Sequence, residues 1–133
     1  MSDIRRTCSC PLIFTHHMLG GKWKMRILWH IMHGENRFSE LKKAMPEISE
    51  KVLYTSLREL EMSGILEKEV EKEEKPSIIR YYLSEEYAEV EVMLGAAHSF
   101  AEKYARKNGI RHCGDLQKSK VLQKKERACI VDS

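Results

Sequence analysis

Two cysteines and two histidines lie close together in the N-terminal stretch TCSCPLIFTHH, residues 7–17. Cys8 and Cys10 are separated by one residue, and His16 and His17 follow shortly after them. Thiolates and imidazoles are the ligands that zinc prefers, and a cysteine thiolate is also the nucleophile of redox chemistry. The stretch therefore offers three chemistries: part of a metal site, one half of a disulfide, or a reactive cysteine used for sensing.

The positions of the other cysteines leave the metal site as an alternative only. Cys113 and Cys129 come more than 100 residues after the first pair, a spacing that matches no zinc finger or knuckle. A site that adds His112 and Cys113 to the N-terminal ligands stays open. A disulfide framework is not expected, because we predict that the chain is cytoplasmic.

Length and composition indicate one ordinary globular domain. The chain has 133 residues, of which 42% are hydrophobic and 32% charged, and no apolar run approaches the roughly 20 residues of a membrane span. Residues 1–105 carry 15 Lys/Arg and 17 Asp/Glu, whereas residues 106–133 carry 8 and 3, so the positive excess lies at the C-terminal end. We predict a domain over residues 1–108 and a basic extension, partly helical or flexible, over residues 109–133.

The spacing of apolar residues predicts a winged helix-turn-helix, an α+β fold that is mainly α. Pro11 suits the first position of a helix, Ser49 suits an N-cap, and Gly34 and Gly64 suit helix ends. Ile79, Tyr81 and Leu83 alternate as in a strand. The expected order is a helix over 12–18, a helix over 22–33, a short helix over 38–45, a helix over 50–63, a two-stranded wing over 65–83 with its turn at 72–76, and a helix over 86–106.

The helix after Ser49 carries the candidate DNA-binding face. Val52, Leu53, Leu57 and Leu60 fall on one side, so the polar and basic residues must face elsewhere. In a helix-turn-helix the start of the second helix meets base edges in the major groove. The predicted DNA contacts are Arg37, Ser49, Lys51, Tyr54, Thr55 and Arg58, with Lys72 and Lys75 at the wing, and Lys22, Lys24, Lys42 and Lys43 are further candidates for phosphate contacts.

The last helix carries a long apolar stripe that a domain of this size cannot cover completely. The segment that follows Pro11 is similarly apolar, and a two-fold dimer would bury both. The alternative is that Tyr87, Val90 and Leu94 cover the core of the protomer itself. The predicted dimerisation residues are Leu12, Ile13, Val90, Leu94, Ala97, Phe100, Ala101 and Tyr104.

No enzyme motif is present in the sequence. There is no phosphate-binding glycine loop, no nucleophile elbow and no metalloprotease helix motif. Trp23, Met25, Trp29 and Met32 are expected in the core and not around a cofactor. We therefore predict no catalytic residue, no resident metal and no cofactor.

A set of short motifs occurs in a fixed order over about residues 10–105. The segments are Cys10-Pro11, Gly20-Gly21-Lys22-Trp23, Ile27-Leu28, Arg37-Phe38-x-Glu40-Leu41, Ile48-Ser49-x-Lys51-x-Leu53, Leu57-Arg58-Glu59-Leu60-Glu61, Gly64-Ile65-Leu66 and Pro76 with Ile79-x-Tyr81-x-Leu83-Ser84. Taken together, this collinear set resembles the HxlR family of bacterial and archaeal transcription regulators, which are MarR-like.

The resemblance implies a homodimeric winged-helix repressor or activator whose terminal helices form the dimer. It implies that the helix starting at Ser49 reads DNA and that several members use the cysteine before the proline, here Cys10, to sense oxidants or electrophiles. The sequence departs from the family pattern at three places. Arg80 replaces an acidic residue, Ser84 replaces threonine, and Glu86-Tyr87 stands where a glycine is usual.

We therefore expect a DNA-binding transcriptional regulator that binds an inverted repeat in double-stranded DNA as a homodimer. A repressor is expected rather than an activator. A small oxidant or electrophile would act on Cys10, with Cys8 assisting, because the positive end of a helix stabilises a thiolate at its N-cap. Two alternatives remain. One is a metal-responsive regulator that uses Cys8, Cys10 and the histidines, and the other is a winged-helix protein-interaction module that does not bind DNA.

Overall fold

The computed structural model describes residues 10–72 and 77–111, with Lys72 described in its backbone only. Five α-helices and one antiparallel hairpin follow each other in the order expected for a winged helix, which confirms the predicted fold class. A single 3₁₀ turn, Glu85–Tyr87, precedes the last helix. The elements are α1 (Pro11–Leu19), α2 (Lys24–Met32), α3 (Phe38–Ala44), α4 (Glu50–Met62), β1 (Leu66–Lys72), β2 (Ile78–Leu83) and α5 (Ala88–Asn108).

Local sequence explains where most helices begin and end. Pro11 is the first residue of α1, and the Ser49 side chain caps α4 by accepting a hydrogen bond from the Val52 backbone N–H at 3.2 Å. Gly34 follows α2 and Gly64 follows α4, with φ angles of +95° and +83° that favour glycine. The α2 helix begins two residues later than expected, with Trp23 at its N-cap position.

One continuous core joins all five helices and the hairpin. Its largest fully buried side chains come from α2, α3, α4, the segment between α3 and α4, and the start of β1. Trp23, Trp29 and Met32 pack against this core as expected, whereas Met25 is 39% exposed and is not among the residues packed against it. The fully buried set is Ile27, Leu28, Leu41, Met45, Ile48, Leu53, Leu57, Leu60 and Leu66.

The hairpin is attached to the helices at its base. Leu66 pairs with Leu83 and Val70 with Ile79, and the register shifts between Val70 and Lys72, as in a β-bulge. The Tyr81 backbone N–H donates to the Asn36 carbonyl oxygen at 2.8 Å, and Arg37 forms an isolated bridge with Arg80. The segment between α2 and α3 therefore adds a third, short piece of backbone beside β2.

Candidate nucleic-acid interface

The α4 helix separates its apolar and polar residues sharply. Leu53, Leu57 and Leu60 are at most 1% exposed, so their side of the helix is fully packed. Lys51, Tyr54, Thr55 and Arg58 are all exposed, at the positions that the sequence predicted to face outward. The helix therefore presents two cations, a phenol and a threonine to solvent on one continuous side.

Val52 does not lie where the sequence placed it. It was expected on the core side with Leu53, but its side chain is 40% exposed. A residue adjacent to Leu53 is rotated by about 100° around the helix axis, which carries it to the edge of the apolar face. The sequence prediction placed all apolar residues of the helix on one side. Counting 100° per residue from Leu53 would have placed Val52 at the edge of that side instead.

Two hydroxyl groups of this region are engaged within the helix itself. The Ser49 Oγ atom accepts from Val52, and the Thr55 hydroxyl donates to the Lys51 carbonyl oxygen at 2.8 Å. The Ser49 cap stabilises the first turn of α4, and both bonds leave less hydrogen-bonding capacity for a ligand. Lys51, Tyr54 and Arg58 supply the donors that remain available on this face.

Ion pairing divides the cations of the helical region into two groups. Lys24 Nζ lies 2.7 Å from Glu59 Oε2, Arg26 pairs with Glu47, and Lys42 Nζ donates to the Pro46 carbonyl oxygen at 3.0 Å. Lys22 lies over the Trp23 ring, 4.8 Å from its centroid. Lys24 is therefore a structural cation that ties α2 to α4, not the open phosphate contact that the sequence suggested.

The cations of the second group have no ion-pair or hydrogen-bond partner among the described residues. Among the residues that the structure describes, the side chains of Arg37, Lys51 and Arg58 make no hydrogen bond or ion pair with the rest of the chain. An exposed cation without an internal partner keeps its full charge for an anion, and the phosphate backbone is the dominant source of affinity in nucleic-acid binding. The unpaired cations of α4 and the α3 N-terminus are thus the best placed for such a contact.

Arg80 fixes the base of the wing through contacts with three segments of the chain. Its Nε donates to Glu71 Oε2 at 2.6 Å, and one terminal nitrogen donates to Asn36 Oδ1 at 3.0 Å and lies 3.9 Å from Glu40 Oε1. The Glu71 hydrogen bond, with the charges of Glu71 and Glu40, raises the pKa of Arg80 above its usual value. Sequence reasoning noted Arg80 only as a departure from the family pattern and missed this role.

The remaining wing candidates fall outside the described residues. Lys72 ends β1, but its side chain is not described, and Lys75 lies in the undescribed turn. The described part of β1 is acidic, with Glu67, Glu69 and Glu71 exposed. A DNA contact at Lys72 or Lys75 stays a prediction.

Large apolar side chains are also exposed on α1 and on α5. Leu12 is 80% exposed, and Phe100 and Tyr104 on α5 are 70% and 56% exposed, with their ring centroids 6.1 Å apart. Ile13, Met93 and Ala101 are also exposed, and Ala97 is half-buried. Met93, Ala97, Phe100 and Tyr104 follow a 4-3-4 spacing, so they form one stripe along the helix.

Two of the residues predicted for dimerisation belong to the protomer core instead. Val90 and Leu94 are only 8% and 3% exposed and pack in the hydrophobic core of the single chain. They lie beside the stripe that contains Phe100, about 70° away from it around the axis of α5. The helix has two apolar faces, and the sequence pattern merged them into one.

Cys10 stands at the N-cap of α1, as predicted. Its backbone is extended, its carbonyl accepts from the Phe14 N–H at 3.0 Å, and its side chain makes no capping hydrogen bond. The side chain is half-buried, and Pro11 separates the residue from the exposed Leu12 and Ile13 along the chain. His16 and His17 are exposed on α1, and Cys8, His112, Cys113 and Cys129 lie outside the described residues.

Within the described ranges no three His, Cys, Asp or Glu side chains come close enough to hold a metal ion. None of the described helices is both long and apolar enough to cross a membrane. Neither observation bears on the segments before Cys10 or after Arg111.

The α2 helix supports both surfaces, because α4 and α5 each pack against it. The Lys24–Glu59 ion pair joins it to α4, and the Trp29 ring stacks on the His98 ring of α5, with centroids 4.3 Å apart and planes 8° from parallel. His30 of the same helix is buried, and its desolvation lowers its pKa, partly offset by Glu35 at 3.5 Å. The α4 and α5 helices therefore share α2 as a common support.

A helix-turn-helix with an unpaired basic face on its second helix and a hairpin anchored beside it defines the winged-helix class of DNA-binding regulators. Within that class, the chain belongs to the HxlR-like helix-turn-helix family, whose model matches residues 18–109. Family members and relatives are transcriptional regulators rather than enzymes, which agrees with the prediction made from the sequence.

Individual relatives agree with this assignment. The HTH-type transcriptional regulator YdeP of Bacillus subtilis is 37% identical over 95 residues, which are 71% of this chain and 73% of YdeP. The structure of the regulator YtcD aligns with a TM-score of 0.67 and 36% identity, over 73% of this chain and 98% of YtcD. The redox regulator HypR in its oxidised form aligns with a TM-score of 0.65 and 34% identity, over 71% of this chain and 96% of HypR, and a reduced form of HypR also matches.

Proposed function

We propose that this protein is a cytoplasmic, homodimeric transcriptional repressor that binds an inverted-repeat operator in double-stranded DNA. The observation that supports this most strongly is the exposed face of α4, where Lys51 and Arg58 are not paired with any described residue. Arg58 would contact guanine through two hydrogen bonds, and Lys51 and Arg37 would contact phosphates. Tyr54 and Thr55 would complete the contact beside them, with Ser49 holding the start of the helix in place.

The dimer would form through the exposed apolar surface of α1 and α5. Phe100, Tyr104 and Leu12 are large apolar side chains whose exposure costs free energy in water, and a second copy would cover them. A two-fold arrangement would place the two α4 helices about 34 Å apart, one turn of DNA, so each would read one half-site. The two proposed contacts therefore use different faces and do not compete.

Regulation would act through Cys10. The residue precedes Leu12 and Ile13, so a change at its sulfur lies beside the proposed dimer contact. Hydrogen peroxide would transfer one oxygen atom to the thiolate, which gives a sulfenic acid and releases hydroxide as the O–O bond breaks. A second thiol, from Cys8 or a partner's cysteine, would then displace the sulfenic oxygen as water and form a disulfide. Similarity to HypR, a redox regulator known in oxidised and reduced forms, adds support.

Selection of bound DNA from a random library tests this proposal. Reduced protein is expected to enrich an inverted repeat, and treatment with peroxide or diamide is expected to change the affinity for the enriched sequence. Cys10→Ser should remove that response while leaving the affinity of the reduced protein unchanged, and Cys8→Ser shows whether the second thiol takes part. Affinity that is unchanged by oxidants would refute the sensing role, and the absence of any enriched sequence would refute the DNA-binding role.

A further inference from the structure

Val52 is a partly exposed apolar residue in the first turn of α4. It is 40% exposed, while the neighbouring Leu53 is fully buried. Valine forms helices less readily than alanine, lysine or glutamate, so helix propensity does not favour it at this position. Val52 lies at the edge of the apolar face, and Thr55, about 60° away around the helix axis, is proposed here to face DNA.

The position of Val52 in the first turn of a helix restricts its side chain. The Ser49 hydroxyl accepts a hydrogen bond from the Val52 backbone N–H at 3.2 Å, which fixes the backbone of this residue at the start of the helix. A β-branched side chain in a helix has essentially one χ1 rotamer, so its two methyl groups keep a constant position. An ordered apolar group loses almost no conformational entropy when it meets a ligand.

DNA presents one apolar group in the major groove, the 5-methyl group of thymine, and apolar side chains of proteins read it by direct contact. We infer that Val52 is a specificity-determining residue of this protein and that its methyl groups contact the 5-methyl group of one thymine in each half-site. This inference rests on the proposed function. It adds a base that the hydrogen-bonding residues of α4 do not select, since Lys51, Tyr54 and Arg58 carry donors that read oxygen and nitrogen atoms.

Replacing single thymines by deoxyuridine tests the inference, because the exchange removes the methyl group and leaves the base pairing unchanged. The enriched inverted repeat is scanned one symmetric thymine pair at a time, and Kd is measured for the wild type and for Val52→Ala. For the wild type we expect one pair whose exchange weakens binding about fourfold for each methyl group removed. For Val52→Ala the same exchange should have no effect, and the variant should bind the unmodified operator as weakly as the wild type binds the exchanged one.

Met62→Ala is the matched control. Met62 is 77% exposed at the C-terminal end of the same helix, so the Met62→Ala substitution also removes an exposed apolar side chain from α4. The control should retain the full sensitivity to deoxyuridine. Thermal unfolding of both variants checks that neither substitution disturbs the fold.

The possible outcomes separate this inference from the proposed function. DNA binding in which no thymine pair responds to the exchange, or in which Val52→Ala keeps the response, overturns the inference and leaves the DNA-binding function standing. Failure to enrich any DNA sequence overturns the proposed function and this inference with it. A methyl response that is lost in Val52→Ala and kept in Met62→Ala supports both.

Discussion

The α4 and α5 helices are built alike on the inside and differently on the outside. Each packs an apolar face into the same core, with Leu53 and Leu57 from α4 and Val90 and Leu94 from α5. The outer face of α4 carries Lys51, Thr55 and Arg58, whereas that of α5 carries Met93, Phe100 and Tyr104. The inner faces determine the fold of the protomer, and the outer faces determine what each helix can bind.

The difference shows that an apolar residue on an amphipathic helix need not belong to its core face. On α5 the buried and the exposed apolar residues both recur every three or four positions and lie close together around the helix. The sequence pattern therefore shows them as one stripe. On α4 most of the outer face is polar, and the exposed aliphatic residues are Val52 in its first turn and Met62 at its end. Both helices contact α2, through the Lys24–Glu59 ion pair with α4 and the stacking of Trp29 on His98 of α5.

Leu94→Ala should have the largest effect and separates the two faces of α5. A leucine that is 3% exposed leaves a cavity when truncated, so the free energy of unfolding should fall by about 2–5 kcal/mol. Chemical denaturation at two protein concentrations measures it. A loss seen only at the concentration where the protein is dimeric would instead place Leu94 in the dimer contact.

Phe100→Asp should act on association and leave the fold intact. Placing a carboxylate in the centre of an apolar contact leaves a buried charge without a partner, so dimerisation should weaken by at least about 30-fold. Sedimentation velocity measures the association constant. The neighbouring Ser99→Asp adds the same charge at an exposed position and should leave the constant nearly unchanged; equal effects of the two variants would argue against this interface.

Arg58→Ala should weaken DNA binding without affecting stability or dimerisation. Loss of a two-bond contact with guanine costs about 1–3 kcal/mol of base discrimination. Competition between the enriched operator and versions with single exchanged G·C pairs measures this discrimination. One pair should become tolerant to exchange in the variant, and unchanged discrimination at every position would exclude Arg58 as a base-reading residue.

The smallest expected effect is a pH dependence of the free energy of unfolding that comes from His30 on α2. Burial lowers its pKa in the folded protein, against the opposing influence of Glu35 and with small contributions from Arg26 and His33. As the pH is lowered below about 6.5, His30 therefore takes up a proton in the unfolded chain before it does so in the folded protein. The free energy of unfolding consequently decreases as the pH decreases. The fall continues down to the lowered pKa of the folded state.

Denaturant unfolding between pH 5 and pH 8 measures this dependence. His30→Gln should flatten the fall below pH 6.5, even though the variant is less stable overall. His16→Gln, at an exposed position on α1, should keep the slope of the wild type. Equal slopes for all three proteins would show that His30 does not contribute.

Much of this molecule follows from local sequence signals, as two elements show. Pro11 and Ser49 mark helix starts because proline and serine suit the first helical position and the N-cap, and the apolar spacing of α4 located Lys51 and Arg58 on its outer face. Such signals act over one or two turns. The sequence alone therefore predicted the fold class and the exposed candidates for DNA contact.

The features that escaped prediction depend on residues far apart in the chain. Arg80 meets Asn36, and Trp29 stacks on His98, across separations that no local pattern reports. The burial of Val90 and Leu94 depends on where α2 packs against α5, so periodicity found the apolar residues but not their partners. Likewise, the sequence suggested Lys24 as a phosphate contact, but its side chain forms an ion pair with Glu59, a residue 35 positions away in the chain.

The salt dependence of DNA binding tests the central claim, that the outer face of α4 binds DNA, most directly. Kd for the enriched operator is measured by fluorescence anisotropy over a range of salt concentrations for the wild type, Lys51→Ala and Lys103→Ala. Lys103 is an exposed lysine of α5 and serves as the matched control. The slope of log Kd against log salt should decrease by about two in Lys51→Ala, one phosphate contact for each protomer, and should not change in Lys103→Ala. Identical slopes for the wild type and Lys51→Ala would contradict the claim.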